Sequence, residues 1–399
     1  MSEFSHPISR RTFCKTAALA GLSAAALPWS APAESAPGAM PRRILGRSGR
    51  SIPILSLGGM FDIWNSQHLL HRARQLGVTG WDTADCYEGG RSEPGFGRYF
   101  EEHPEARPEI FLITKSDARD PEGLTRLLQR SLERLKTSFI DLYLIHDLRS
   151  PEEITDALRE WVVRAKGEGH IRLFGFSTHR NMEEHLAAAA KKPEIDAVMT
   201  SCNFRLLQSP GYRDALKACA EAWVGVVAMK TQGGGSLPAG GDAESRIAEH
   251  FMGRGFSERQ ARLKAVWENP HVSAICSQMP RLSILSANTA AAMDRTSLDE
   301  ADRQTLRTYE AETAATYCAG CERFCSAALA ESAPVADVMR FLMYARSYER
   351  PDLGKSRFLS LAPERRAALA RTNFRAAEAA CPRRLPIARL VDSALAMWG

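Results

Sequence analysis

After Pro41 the sequence lacks any apolar run of the roughly 20 residues that a membrane-spanning helix needs. It also lacks a basic run interleaved with aromatic residues, and its formal net charge of +5 is small for 399 residues. Nucleic-acid binding is therefore unsupported, and no membrane span is expected beyond the N-terminal segment. The composition is 44% hydrophobic and 25% charged, which is typical of a globular chain with one large core and an appendage.

The N-terminal segment, residues 1–36, has the features of an export signal. Two arginines and a phenylalanine occur in SRRTFCK at Ser9–Lys15, an alanine-rich apolar run covers Thr16–Trp29, and Ala31–Ala33 offers a small-residue cleavage site. The segment looks like a twin-arginine signal and predicts a periplasmic protein. The alternative is an uncleaved membrane anchor, but about 14 mildly apolar residues are fewer than a bilayer requires.

The middle of the chain alternates buried-strand patterns with helical patterns. One helical pattern, Pro121–Thr137, has its leucines on a single face, and a second covers Glu152–Lys166. Glycines interrupt a short apolar pattern at Arg42–Pro53, which predicts a hairpin at the bottom of a barrel. With no competing repeat, eight strand–helix units predict an α/β fold with one closed (β/α)8 TIM barrel. The predicted strands are Ile54–Gly58, Thr79–Asp82, Ile110–Thr114, Ile140–Ile145, Arg172–Phe176, Ala197–Ser201, Val224–Met229 and Ser273–Cys276.

Three consecutive strands of this pattern end on ionisable residues. Asp82 closes the second strand with Tyr87 five residues later, Lys115 closes the third, and His146 closes the fourth. Taken singly, these residues suit a helix cap, a loop aromatic, a solvated strand end and a core histidine. Together they lie at the carboxyl ends of barrel strands, where such barrels carry their chemistry, so we interpret them as a catalytic group.

The sequence resembles the aldo-keto reductase family, whose members carry Asp, Tyr, Lys and His in this order. The resemblance covers roughly Arg42–Met293 and is carried by WDTADCYEGGRSEPGFG, FLITKS and SLERLKTSFIDLYLIH, with weaker matches in RRILGRSGRSIPILSLGGM, RLFGFSTH and VVAMKTQGGG. It implies an oxidoreductase that transfers a hydride between NADP or NAD and a small carbonyl or alcohol substrate.

The chemistry of carbonyl reduction explains this residue set. Hydride transfer leaves negative charge on the carbonyl oxygen, so a proton donor must lie close to it. We expect a Lys115 cation, held by Asp82, to favour the phenolate and make Tyr87 a better donor than its reference pKa of about 10 allows. His146 would orient the carbonyl oxygen or relay the proton, and Cys86 is expected to line the pocket.

The same resemblance implies that residues after strands five to eight hold an extended dinucleotide without a G-x-G-x-x-G loop. The sequence departs from the family at Met199, where many members have Gln, and Arg281 is the only cation near the adenosine end, so NADP and NAD both stay open. The Gly-rich stretch Lys230–Gly241 also suits a flexible surface loop. The predicted contacts are Ser177, Thr178, Asn203, Lys230, Gly233, Gly234, Met279, Arg281 and Asn288.

Residues 299–399 follow the predicted barrel domain, 42–298, as a helical extension that contains cysteines. Iron–sulfur relatives carry a ferredoxin-like extension, and this resemblance implies a 4Fe–4S cluster, although Phe324 stands where the third cysteine is usual. Structural zinc and two disulfides are alternatives that the sequence leaves open. The four predicted ligands are Cys318, Cys321, Cys325 and Cys381.

Two functions fit these patterns. The first is the reductase. Free NAD(P)H is not expected outside the cytoplasm, so either the dinucleotide would be exported tightly bound to the protein, or the cluster would exchange electrons with a periplasmic partner. The second is a non-catalytic barrel that binds a ligand or a partner, with a structural cysteine appendage; the departures at Met199 and around Gln278 favour it. The intact group of Asp82, Tyr87, Lys115 and His146 favours the enzyme.

Overall fold

The computed structural model describes residues 39–234, 242–330 and 333–399. The predicted export signal, residues 1–36, and most of the Gly-rich stretch, residues 235–241, lie outside the described residues. Within the described part of the chain, no helix combines the length and the apolar character needed to cross a bilayer.

Strands and helices alternate from the first barrel strand to the last, with two helices between β9 and β10. The strands are β1 Arg42–Ile44, β2 Ser51–Pro53, β3 Leu55–Gly58, β4 Gly80–Asp82, β5 Phe111–Ser116, β6 Ile140–Ile145, β7 Ile171–Thr178, β8 Ala197–Ser201, β9 Gly225–Met229 and β10 Ala274–Gln278. The helices of this region are α1 Gln67–Gln75, α2 Ser92–Glu102, α3 Pro121–Arg134, α4 Asp156–Gly167, α5 Met182–Ala189, α6 Pro210–Glu221, α7 Asp242–Gly253, α8 Glu258–Trp267 and α9 Leu282–Met293.

Strands β3 to β10 pair in parallel, each with its neighbour in sequence, and β10 pairs with β3 to close the barrel. The predicted (β/α)8 barrel is therefore present. Period-two alternation along each strand sends one set of side chains to the lumen and the other to the helices. In β5, Phe111 and Ile113 belong to the lumen cluster whereas Leu112 packs in the outer layer.

The antiparallel pair β1–β2 is the predicted hairpin, and it closes the amino-terminal end of the barrel. Its Leu45 and Ile52 are buried in the lumen cluster. Gly46 at the turn has φ +49°, and a Cβ at this position would lie 2.4 Å from the backbone nitrogen of Gly225, where β9 begins. The turn therefore requires glycine, both for its dihedral angle and for this close approach.

Two helices differ from their predicted bounds for local reasons. Helix α3 begins as expected, because the Asp120 side chain accepts a hydrogen bond from the Gly123 amide, but it ends at Arg134, and Lys136 then takes φ +51°. Helix α4 begins at Asp156 rather than Glu152, since Thr155 caps it by accepting from the Leu158 amide.

The extension after the barrel is helical and has its own hydrophobic core. Its buried side chains include Phe341, Phe358, Val391 and Trp398, and Cys381 belongs to the same cluster. Prolines open two of its helices, which divides the predicted helical stretch into short segments. These helices are α10 Glu300–Glu312, α11 Glu322–Ala327, α12 Val335–Arg346, α13 Pro351–Leu359, α14 Pro363–Arg371, α15 Arg375–Ala380 and α16 Ile387–Trp398.

Candidate active site

Three of the four predicted catalytic side chains form a continuous chain of contacts at the carboxyl end of the barrel. The Lys115 Nζ donates to Asp82 Oδ1 at 2.5 Å, to the Thr83 carbonyl at 2.7 Å and to the Tyr87 hydroxyl at 3.2 Å. The side chains of Lys115 and Asp82 are 1% and 4% exposed. A buried cation is thus fully engaged by one carboxylate, one carbonyl and one phenol.

The sheet explains why these side chains meet. Lys115 has the same parity along β5 as the lumen residues Phe111 and Ile113, and Asp82 lies opposite Ile113 in the register of β4 and β5. Tyr87 lies in the loop after β4, at the start of a short helical turn over residues 87–90, and its hydroxyl points back toward Lys115.

The electrostatics of this group keep Lys115 charged. Burial lowers the pKa of the Lys115 ammonium, but the adjacent Asp82 and Tyr87 more than reverse this and raise it overall. For Tyr87 the balance is different: burial raises the pKa of the phenol well above its ordinary value, and Lys115 offsets only part of the rise. The expectation of a lowered pKa at Tyr87 is therefore wrong for this structure, although Lys115 acts in the expected direction.

His146, directly after β6, completes the predicted group. Its ring lies edge-on to Tyr87 with 5.6 Å between the ring centroids. Its Nδ1 is 3.1 Å from Asp117 Oδ1 and 3.6 Å from Cys86 Sγ. The structure therefore brings all four predicted residues to one rim, together with Cys86, which the sequence placed near the pocket.

The residues predicted to hold the nicotinamide end of a dinucleotide are engaged by protein groups. The Ser177 hydroxyl accepts from the Asp147 amide at 3.0 Å, and the Asn203 side-chain amide donates to the Tyr317 hydroxyl at 3.1 Å. Tyr317 comes from the extension and is 4% exposed. Thr178, within β7, contacts the Arg180 carbonyl and His185.

The extension also covers Lys230 and the glycines that follow it. The Lys230 ammonium lies 4.9 Å from the Tyr344 ring centroid, and a Cβ at Gly234 would contact Met343 at 3.1 Å. Gly233 has φ +76° and faces Phe204. A cavity remains beside these residues, and side chains of the extension form one of its walls: Asn203, Lys230 and Gly233 face Tyr317, Met343 and Tyr348 across it.

At the predicted adenosine end the three residues have different environments. Met279 is fully buried in the core between strands and helices, so its side chain is not presented to a ligand. The Asn288 amide donates to the Ser277 hydroxyl at 3.1 Å. Arg281 is exposed directly before the start of α9.

The extension is fixed to the barrel mouth by charged and backbone contacts. Arg180 bonds Glu322 at 2.6 Å, Asp337 at 3.1 Å and the barrel residue Asp147 at 3.2 Å. The Asn181 amide donates to the Gly320 carbonyl, and a Cβ at Gly320 would lie 2.4 Å from the His179 carbonyl oxygen. The loop that carries Cys318 and Cys321 is therefore seated directly on the end of β7.

The four cysteines of the extension line one apolar cavity, together with Val335, Leu385 and Ile387. All four are free thiols, so the structure contains neither of the two disulfides considered above. Burial raises the pKa of the Cys318 thiol to about 12, and that of the Cys325 thiol to about 11.

Sequence reasoning missed three contributors to the site. Asp117 contacts His146, the Cys276 thiol contacts the Asp82 carboxylate, and Tyr317 contacts Asn203. The position of Asp117, two residues after Lys115 on the same rim, could have indicated it. Tyr317 is 114 residues from its partner, and no local pattern marks that contact.

Comparisons with known proteins agree with this architecture. The model of the aldo/keto reductase family matches residues 57–278. The chain is 31% identical over 187 residues to the aldo-keto reductase yakc [NADP(+)] of Schizosaccharomyces pombe, which covers 43% of this chain and 53% of the relative. It is 26% identical over 194 residues to methylglyoxal reductase DkgA of Salmonella typhimurium, covering 46% of this chain and 67% of that one. The chain thus spans about half to two thirds of the length of these curated relatives.

Comparison with solved structures indicates the same family. The thermostable aldo-keto reductase Tm1743, in a complex with the inhibitor epalrestat, is 26% identical with a TM-score of 0.57, and the match covers 68% of this chain and all of that one. Aldo-keto reductase AKR11C1 from Bacillus halodurans, at 22% identity and a TM-score of 0.56, shows the shared fold alone. Because the family model spans more than half of the 399 residues and the barrel closes as the family's does, this chain belongs to the aldo/keto reductase family.

Proposed function

We propose that this protein is an oxidoreductase that interconverts a small carbonyl compound and its alcohol, with Tyr87 as general acid and base. The observation that carries this proposal is the position of the Lys115 ammonium, which joins the Asp82 carboxylate at 2.5 Å to the Tyr87 hydroxyl at 3.2 Å. A barrel that only binds a ligand needs no buried cation on a phenol, so this contact favours the enzyme over the binding barrel.

The proton chemistry follows from the site. Because burial keeps the pKa of Tyr87 high, the phenol is protonated at neutral pH and can give its proton to the oxygen that gains charge during carbonyl reduction. The phenolate left behind lies against the Lys115 cation, which stabilises it. Asp82 holds the cation in place, and the His146 ring beside Tyr87 helps to position the carbonyl oxygen.

The hydride carrier proposed is a nicotinamide dinucleotide, NADP or NAD. Support comes from the family and from the printed name of the S. pombe relative, which includes NADP(+). Tyr317, Met343 and Tyr344 contact the residues that would hold the nicotinamide end, so we expect the extension to compete with the dinucleotide for these contacts.

For the extension we propose a 4Fe–4S cluster on Cys318, Cys321, Cys325 and Cys381. Tetrahedral zinc with Zn–S bonds of about 2.3 Å would bring thiolates to about 3.8 Å from one another. Among the described residues, no three of these thiols lie within 4.8 Å of one another, although all four line one apolar cavity. The arrangement therefore gives no support to a single zinc ion, and the proposal of a cluster rests on the resemblance of the cysteine run to iron–sulfur relatives; a bound cluster would supply one-electron transfer.

Periplasmic export and an electron-transfer partner belong to the same proposal. They rest on the twin-arginine pattern of residues 1–36 and on the cysteines next to the barrel mouth. Iron and acid-labile sulfide analysis of protein purified from the periplasm tests the location and the cluster together.

The decisive experiment for the enzyme is Tyr87→Phe. We expect turnover of carbonyl substrates, with reduced dinucleotide or with a one-electron donor, to fall by roughly 10²- to 10⁴-fold, because the general acid is removed. Tyr143→Phe is the matched control, since it deletes a buried hydroxyl on the outer face of β6. Equal activity in both variants, or no activity in the unmodified protein, would contradict the proposed role.

A further inference from the structure

Three potential metal ligands converge at the barrel rim beside the proposed catalytic group. The Cys86 Sγ, the Asp117 oxygen and the His146 Nδ1 all lie within 4.8 Å of one another, and they form the only such set of three among the described residues. They follow β4, β5 and β6, so three neighbouring strand ends deliver them. They are separate from the four cysteines of the extension.

The spacing of these atoms resembles that around a tetrahedral zinc ion. Zn–S bonds of about 2.3 Å and Zn–N and Zn–O bonds of about 2.0–2.2 Å place sulfur about 3.6 Å from nitrogen, and nitrogen about 3.4 Å from oxygen. The observed distances are 3.6 Å from Cys86 Sγ to His146 Nδ1 and 3.1 Å from His146 Nδ1 to Asp117 Oδ1.

The three side chains do not form a simple relay, because Asp117 contacts both Cys86 and His146. Both partners of His146 face the same ring nitrogen, whereas a Cys–His–Asp relay would use the two nitrogens separately. Asp85, which precedes Cys86, is 5% exposed, and its Oδ1 has no hydrogen-bond partner; its other oxygen meets Arg130 at 3.3 Å. A cation bound by the thiol, the imidazole and the Asp117 carboxylate would offset the like-charge repulsion between Asp117 and Asp85.

We propose that Cys86, Asp117 and His146 bind a divalent cation of the zinc type, with the fourth position open to water or another small ligand. Thiolate, imidazole and carboxylate together suit Zn²⁺ rather than Mg²⁺ or Ca²⁺, which prefer oxygen ligands alone. The His146 backbone is already held, because its carbonyl accepts from Arg119 Nη2 at 2.6 Å. Three protein ligands with an open fourth position are typical of catalytic rather than structural zinc.

The site has a consequence for His146 itself. A metal on Nδ1 leaves the imidazole proton on Nε2, so the ring becomes a fixed hydrogen-bond donor through that nitrogen. The metal site does not depend on the proposed reductase activity, and binding can be measured without any substrate.

Cobalt substitution tests the proposal on the full chain in a background that carries Cys318→Ala, Cys321→Ala, Cys325→Ala and Cys381→Ala, which removes the cysteine set of the extension. We expect one equivalent of Co²⁺ to bind with a thiolate-to-cobalt charge-transfer band and the d–d bands of tetrahedral cobalt, both abolished by excess Zn²⁺. Cys86→Ser should remove the charge-transfer band, and Asp117→Asn should weaken binding by about 100-fold or more.

Asp117 is 58% exposed, so Asp117→Asn gives a readout even if Cys86→Ser impairs folding. Asp156→Asn, at an 87% exposed side chain far along the sequence, is the matched control and should bind as the parent does. Absence of a thiolate band in the parent, or a band that survives Cys86→Ser, would overturn the site. Equal weakening by Asp117→Asn and Asp156→Asn would do the same.

Discussion

Replacing Lys115 with methionine removes the cation from the buried pair and leaves the Asp82 carboxylate behind. The two side chains are 1% and 4% exposed and 2.5 Å apart, so water cannot take the place of the lost partner. Breaking such a pair costs about 3–5 kcal/mol of unfolding free energy. Asp82→Asn combined with Lys115→Met removes both charges, and this double variant should recover most of that loss.

The Lys115→Met penalty should depend on pH. Burial already raises the folded-state pKa of Asp82 above its unfolded value of about 3.9, and the loss of the Lys115 cation, which opposes this, raises it further. The folded state then holds a proton that the unfolded state releases, so stability falls as the pH rises from about 4 through the folded-state pKa. Below about pH 4 the carboxyl is neutral in both states, and the penalty should shrink.

Urea unfolding followed by tryptophan fluorescence measures these effects, with all variants in the same cluster state. Lys136→Met is the matched control, because Lys136 pairs with Glu101 at 3.5 Å where the side chains are 51% and 58% exposed. That variant should lose less than about 1 kcal/mol at any pH. A loss at Lys115→Met no larger than the control's, or a double variant as unstable as the single one, would refute the account of the buried pair.

Three further predictions concern other parts of the chain. Gly46→Ala should lower the unfolding free energy by more than about 1 kcal/mol in urea titrations, because its φ of +49° and close backbone contact exclude a Cβ; no loss would contradict this. Cys381→Ser should reduce bound iron and sulfide, whereas Cys219→Ser, at a buried cysteine of α6, should not; equal iron contents would reject the ligand assignment. Tyr317→Phe removes the hydrogen bond between the extension and Asn203, which is worth about 0.5–1.5 kcal/mol, so calorimetry should find dinucleotide binding about 2- to 10-fold tighter. Unchanged affinity would show that Tyr317 does not compete with the dinucleotide for Asn203.

The barrel was predictable because its determinants are local. Phe111, Ile113 and Lys115 repeat with period two, so the lumen face of β5 and its terminal cation could be derived from the sequence. The rim that joins Lys115 to Tyr87 follows from the order of parallel strands. Helix ends were less predictable, since Lys136 takes a left-handed conformation without a glycine to mark it.

The remaining features depend on contacts between distant segments. No periodicity relates Tyr317 to Asn203, and whether Met279 faces a ligand or the core is decided by the packing of α9 against the strands. The pKa of Tyr87 likewise depends on how deeply the phenol is buried, and the sequence specified only that a cation is near it.

Gly320 has a consequence for protein engineering. Its carbonyl bonds the Asn181 amide, and its missing Cβ admits the His179 carbonyl, so the cysteine loop and the end of β7 are shaped for each other. The C-terminal region therefore depends on contacts with this barrel and cannot be transferred to another protein by itself. A chimaera that joins residues 299–399 to a different barrel must also carry residues 179–181, because otherwise the cysteine loop loses the backbone contacts that hold it against the barrel.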